Sequence, residues 1–406
     1  MSKYVSYAPE QDWLLPPRTI DELGEGHLVF FLHELVERLD LSRFEESASE
    51  EGRPGYPPQL LLKVWLYAYA LGVTSSRKLE QRIREDLGFR FLAANHKPDH
   101  WTLNEFRRQH PRALNDVFTQ VVEAARQAGL GQLGRVAIDS TRMEANASAD
   151  RSDTIEQLRR ERARIRRRIR RWQQQANGDN DNETPGMQVG SPEVWRQRLE
   201  QIPRQLQQLR QSGQKRGSRS DPESRYLKRR GGYCLGYAAE LAVSDDHLIV
   251  ACGVHQRRND SASLAAMVAA VEQECGQPPG AVLADSGYHA NQQIQAVEQR
   301  GVETYVPDKL LVRELAGGKR VTMNRRQRRR SPGLFERRER LRGRRAREQM
   351  RRRKALVEAV FGVLKQQRGM RRFRRRGLAA VSSEWKLAAT AFNLTRMHAL
   401  QVSLAN

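Results

Sequence analysis

Two short apolar runs that each end in an aspartate set the frame for this chain: Arg135–Asp139, RVAID, and Ala281–Asp285, AVLAD. Runs this short, without polar alternation, suit strands buried on both faces, and such strands belong to sheets covered by helices. The surrounding order supports that reading. Two strand patterns, Tyr233–Val243 and His247–His255, flank a turn signal at Asp245-Asp246. Asn259-Asp260-Ser261 is expected to cap a helix running to about Glu274, and Pro278-Pro279-Gly280 breaks it. A helix near Asn291–Gln299 and a strand at Val302–Val306 follow the second aspartate, before a long Arg-rich helical region. Strands alternating with helices give an α/β class. On such a sheet, sites form at the carboxyl ends of adjacent strands, where Asp139 and Asp285 stand.

Two unpaired carboxylates there would repel and raise each other's pKa. A divalent cation removes that cost, and oxygen ligands without His or Cys indicate Mg2+ or Mn2+ rather than zinc. A third ligand is expected on a helix beside the strand ends. Glu358, in KALVEAVFGVLK, is the best candidate, with Lys365 two turns further along one helix face. An ordinary pair with Lys354, one turn back, is the plainer reading of Glu358. Three carboxylates suffice for phosphoryl transfer with two metal ions. Lys365 and Arg368 are placed to hold a phosphate nearby. Tyr288 and His289 follow Asp285 and either line the site or pack beside it. Asp221 reads as a turn residue and Asp153 as a helix cap.

The rest of the chain is read as an N-terminal helical domain, 1–130, and a catalytic domain, 131–406. In the first, a helix spans about His27–Leu39, and PPQLLLKVWLYAYALG is apolar nearly all round, so it should form the domain's centre. Ser75 is a plausible cap, as is Thr102 or Asn104 in WTLNEFRRQHP, a short helix carrying Arg107 and Arg108. Ala113–Ala128 is another amphipathic helix. Short helices with exposed arginines suit a helix-turn-helix DNA reader, and a plain helical bundle is the alternative. Within the second domain, 150–220 reads as an inserted helical hairpin. Its seams are Ile155, Leu158, Ile165, Ile169 and Trp172 on one helix, and Trp195, Leu199, Ile202, Leu206 and Leu209 on the other. Pro203 should kink the second helix. An apolar helix from about Glu384 to Leu400 closes the fold.

Charge identifies the class of partner. The chain has 406 residues, with 71 Lys and Arg against 48 Asp and Glu, a net +23. Lys319–Lys354 alone carries 18 basic and three acidic residues. Such a run repels itself without a polyanion, and part of it is expected to be disordered in the free protein. Membrane surface is disfavoured because the basic stretches lack large apolar anchors. The longest apolar stretch, Leu60–Leu71, contains Lys63 and is too short to span a bilayer. The start, MSKYVSYAPEQDW, does not read as a signal peptide. Cys234, Cys252 and Cys275 form no CxxC pair, which disfavours zinc and suits a reducing cytoplasm.

These motifs resemble those of bacterial insertion-sequence transposases of the DDE class, in particular the insertion-sequence eleven-eighty-two group. The resemblance runs through PPQLLLKVWLYAYALG, AIDSTRMEANAS, DPESRYLKRRGGYCLGYAAELAV, NDSASL, LADSGYH and VEAVFGVLKQQRGMRRFRRRGL, then EWKLAATAFNL. It implies a ribonuclease-H-like catalytic domain with a mixed five-stranded sheet, and the acids Asp139, Asp285 and Glu358. It also implies double-stranded DNA as partner, and a homodimer or larger assembly when two ends are bound. Related transposases carry a Tyr-Arg-Glu-Lys signature at the third acid; here Glu358 and Lys365 fit, while Lys354 and Arg351 stand in the Arg and Tyr places. A stand-alone nuclease, or a DNA-binding protein that has lost catalysis, is the alternative.

Overall fold

The computed structural model describes residues 18–45, 55–148, 150–176, 191–229, 231–320 and 322–400. Seven helices come first: α1 (Leu28–Glu37), α2 (Ser42–Glu45), α3 (Pro58–Ala70), α4 (Ser76–Glu85), α5 (Leu87–Leu92), α6 (His100–Gln109) and α7 (Pro111–Gln127). As its composition requires, α3 is buried from Leu60 through Tyr69. It stops at Gly72, whose φ is +76°. A Cβ there would lie 2.7 Å from the Arg368 carbonyl oxygen, so both the backbone conformation and the close approach call for glycine. The cap of α6 is Asp99, whose carboxylate accepts from Thr102 N at 2.7 Å, rather than Thr102 or Asn104. At α4 the Ser75 side chain makes no capping bond.

The catalytic region opens with β1 (Val136–Glu144). The chain then makes β2 (Ser152–Thr154), α8 (Ile155–Ala176), α9 (Pro192–Ser212) and β3 (Arg216–Ser218). The two short strands pair and close the base of the inserted hairpin. The hairpin has its own cluster of Leu158, Ile165, Ile202, Leu206 and Leu209. Trp172, expected in the seam, is 40% exposed instead. Pro203 sits within the single helix α9, and the Asn- and Gly-rich connection at 177–190 lies outside the described residues.

The main sheet continues with β4 (Arg225–Arg229), β5 (Gly232–Ser244), β6 (Ile249–His255), β7 (Ala281–Leu283) and β8 (Glu303–Tyr305). β1 and β5 pair antiparallel along the whole of β1, from Val136↔Ser244 to Glu144↔Gly236. At Gly236 a Cβ would meet the Met143 carbonyl oxygen at 1.9 Å, so only glycine fits this register. Beyond β5 stand β4 and β6, each paired with a different part of it; beyond β1 stand β7 and then β8, both parallel. The sheet therefore has six strands where five were expected. The extra one is Arg225–Arg229, which pairs with the start of a β5 that is longer than one neighbour.

The remaining helical elements are α10 (Leu264–Cys275), α11 (Asn291–Glu298), α12 (Lys309–Leu315), α13 (Arg325–Arg330), α14 (Pro332–Arg342), α15 (Arg344–Gly362), a π-helical turn (Val363–Gln367) and α16 (Leu378–Ala399), of which α10, α11, α15 and α16 pack on the sheet. The basic stretch is thus largely helical rather than disordered. Its inward arginines find acids outside the stretch: Arg337 pairs with Glu298, Arg338 with Asp308, and Arg342 with Glu314. α16 packs on α3, α7 and β6. The Asn393 amide both donates to and accepts from the Ile249 backbone, at 2.8 and 2.9 Å. One hydrophobic cluster runs from Val29 to Met397, with Leu130 packed against it. Among the described residues, no helix is long and apolar enough to cross a membrane. The three cysteines are free and buried.

Candidate active site

The parallel register of β1 with β7, Val136↔Val282 and Ala137↔Leu283, brings Asp139 level with Asp285. Asp285 follows the end of β7 as expected, but Asp139 is not a strand end, because β1 stays paired with β5 as far as Glu144. Asp139 Oδ1 accepts from Ser140 N at 2.7 Å, and its Oδ2 accepts from Arg353 Nη1 of α15 at 2.9 Å. Burial pushes the Asp139 carboxyl above its ordinary value; Arg353 pulls the other way, and the charge of Asp285 adds to the rise. Asp285 caps the short 3-10 turn Ser286–Tyr288 by accepting from Gly287 N at 2.8 Å. It lines a cleft of about 700 Å³ together with Arg351, Arg353 and Lys354.

Glu358 stands apart from this pair. The buried side of α15 is Leu356, Val357 and Val360. Glu358 is turned away from it, 63% exposed, with Lys354 Nζ at 3.9 Å, so the plain pairing is present. Further along, the π-helical turn that follows α15 does reach the site, through Lys365. The Lys365 ammonium donates to Thr141 Oγ1 at 2.8 Å, and Thr141 lies two residues beyond Asp139 on the same strand face. Burial lowers the Lys365 pKa, and the charges of Arg229 and Arg371 add to that.

Two other expected phosphate contacts have structural work instead. Arg107 is buried; its guanidinium stacks 3.6 Å from the Trp65 ring centroid and donates to Tyr69 Oη at 2.9 Å. Arg368 lies over Phe392 and bonds Thr395, and burial pulls its pKa down to about 10. Arg108 remains on the surface, paired with Glu105. Asp153 is a strand residue buried against Arg219 and Arg198, not a helix cap. Asp221 does make a turn, since its carbonyl accepts from Ser224 N. Its buried side chain also accepts from Tyr237 Oη at 2.8 Å and Gly377 N at 3.2 Å. His289 is half-buried, and burial lowers its pKa.

The other face of β1 carries a polar cluster that was not foreseen. Asp260, expected to cap α10, turns inward instead. It accepts from Ser140 Oγ at 2.8 Å and from both Arg142 Nη atoms at 3.1 Å. His255 Nε2 lies 3.4 Å from Glu240 and 3.5 Å from Asp260. Tyr288 Oη donates to Glu240 Oε1 at 2.9 Å, which ties the turn after Asp285 to β5. Among the described residues, Glu240, His255 and Asp260 are the one group of three whose ligand atoms all lie within 4.8 Å of one another. Arg142 already neutralises Asp260, so the cluster reads as a buried ion network. Its visible trace in the sequence was Glu240, a lone charge inside the apolar run YAAELAV.

Residues 18–109 match the family model described as a transposase domain, DUF772, and residues 207–394 match that of the transposase DDE domain. Asp285 and Glu358 lie within the second match, while Asp139 falls between the two. No curated protein and no solved structure matches the chain. With Asp139 on β1, Asp285 just past the end of its parallel neighbour β7, and a DDE domain around the second, the protein is a DNA transposase of the DDE class. More particularly, the pair of domains is that of an insertion-sequence transposase, a DNA-binding enzyme that uses divalent metal.

Proposed function

We propose that this transposase nicks DNA at the ends of its element and joins the freed 3′-hydroxyl to target DNA, using Asp139, Asp285 and Glu358. The observation that carries the reading is the pairing of Asp139 with Asp285 across parallel neighbours β1 and β7, close enough for one charge to raise the other's pKa. Such a pair of hard oxygen donors fits a divalent cation. Asp139 and Asp285 would hold Mg2+ or Mn2+, with Glu358 completing a set for two ions. Bound metal supplies charge stabilisation at the attacking and leaving oxygens. Arg353 orients Asp139 and offsets its charge. Lys365 holds Thr141 beside it, and Arg351 and Lys354 line the cleft where phosphates would pass.

The sheet order β6–β5–β1–β7–β8, with three antiparallel strands and two parallel ones, supports a ribonuclease-H-like fold. The sequence motifs support the insertion-sequence eleven-eighty-two group. The helical part, 1–130, is read as the DNA-end reader of the catalytic part, 131–406, with 150–220 as its inserted hairpin and 319–354 as its basic stretch. Synapsis of two ends calls for at least a dimer on DNA.

Labelled element ends incubated with purified protein and Mg2+ should show nicks at the element boundary. Asp139→Asn, Asp285→Asn and Glu358→Gln should each lower that rate by on the order of 10²–10³-fold or more, without unfolding the protein. Cleavage that survives in Glu358→Gln while both Asp variants are dead would remove Glu358 from the set.

A further inference from the structure

Beyond the end of β1 the chain turns beside the tip of the β4–β5 hairpin, and a groove of about 570 Å³ opens there. Four guanidinium groups line it, from Arg151, Arg229, Arg372 and Arg376, against one carboxylate, Glu144. Glu144 takes both Arg229 and Arg372 at 2.9 Å, so the groove keeps an excess of positive charge. In its wall stands Tyr233. It is 73% exposed, the most exposed of the large hydrophobic side chains among the described residues, while the next two residues, Cys234 and Leu235, are buried. The ring follows Gly231 and Gly232, both at positive φ, at the head of β5. Around it the lining is mostly guanidinium groups and small side chains such as Ala145, Ala147 and Ser148.

An aromatic face set among arginines suits one ligand class well, single-stranded nucleic acid, whose bases stack while its phosphates meet the cations. A duplex keeps its base faces covered and offers a lone ring only edges and phosphates. The groove also communicates with the catalytic strand. Glu144, in its lining, is the last residue of β1, the strand that carries Asp139. We infer that this groove receives an unpaired stretch of the DNA being processed, with a base stacked on Tyr233 and phosphates on Arg151, Arg372 and Arg376. The inference rests on the transposase reading, which supplies DNA as partner, and adds a site for a strand that has left the duplex.

The test is fluorescence anisotropy on the full chain with a labelled mixed-sequence single-stranded oligonucleotide, and with the same sequence as a duplex. Tyr233→Ala should weaken single-strand binding by roughly 5- to 100-fold and leave duplex binding unchanged, while Tyr233→Trp restores it. Because the ring is exposed, Tyr233→Ala should fold normally, checked by its melting curve. Unchanged single-strand affinity in Tyr233→Ala, with duplex still bound, would overturn the groove and leave the transposase reading standing. Wild-type protein that binds neither form would overturn both.

Discussion

The two faces of β1 put the same chemistry to opposite uses. On one face, Ser140 and Arg142 hold Asp260 with hydroxyl and guanidinium donors, and His255 stands beside it. Burial alone would raise the Asp260 pKa, but His255 and Arg142 outweigh it and bring it down to about 2. On the other face, Asp139 is likewise partly buried, pairs with Arg353, and faces a second carboxylate; its pKa is raised. One carboxylate is fully neutralised by the fold. The other retains an electrostatic deficit that a bound cation can relieve. Residues adjacent in sequence thus serve an ion network on one face and the proposed metal site on the other, because alternate side chains of a strand enter different environments.

This contrast can be broken experimentally. The largest stability effect should come from Arg142→Gln, which strands Asp260 in a buried position at a cost of about 3–5 kcal/mol. Arg353→Gln, on the catalytic face, should behave differently, because added Mg2+ can replace the lost charge. In urea unfolding, millimolar Mg2+ should restore Arg353→Gln toward wild type and do nothing for Arg142→Gln. Rescue of both, or of neither, would show that the faces do not differ as described. A smaller effect is expected from Tyr288→Phe. It leaves Glu240 short of a donor and should cost about 1–3 kcal/mol. Because Tyr288 ties down the turn after Asp285, the variant should also need more Mg2+ for half-maximal cleavage; a normal metal midpoint would confine Tyr288 to a packing role.

The smallest effect is a pH dependence. Burial lowers the His255 pKa, but Asp260 and Glu240 more than offset this, so its folded value lies above its ordinary one. Its contribution to stability is therefore complete below about pH 6.5 and is lost as pH rises through the folded pKa. Asp260 acts in the opposite sense: its contribution is present above about pH 4 and is lost as pH falls toward about 2. Denaturant unfolding between pH 6 and 8 should show a decline in wild type that His255→Gln lacks. Parallel curves for the two proteins would mean that His255 does not titrate there.

The sequence was most legible where a residue's role is set by its near neighbours. VAID and VLAD are strand-forming runs, and the structure places them on adjacent parallel strands, although β1 runs on past Asp139 to Glu144. The hairpin seams at three- and four-residue spacing do form a separate cluster, because each seam faces only its partner helix. Legibility failed where the partner is remote. Asp260 looked like a helix cap because Ser140 and Arg142 are about 120 residues away. Arg107 and Arg108 are indistinguishable as letters, yet one is stacked on Trp65 and the other is on the surface. The basic stretch looked self-repelling because its acids, Glu298, Asp308 and Glu314, precede it in the chain.

What the sequence determined by itself, then, was the α/β class, the polyanionic partner and the two aspartates that follow apolar runs, since these follow from local pattern and summed charge. Tertiary structure alone decided which of many arginines reaches Asp139 and which acid lies beneath the catalytic strand. It also decided that Glu358 points outward beside Lys354 while Lys365 reaches Thr141. Those outcomes depend on which face of a helix or strand meets which neighbour, and that is fixed by packing between segments far apart in the chain.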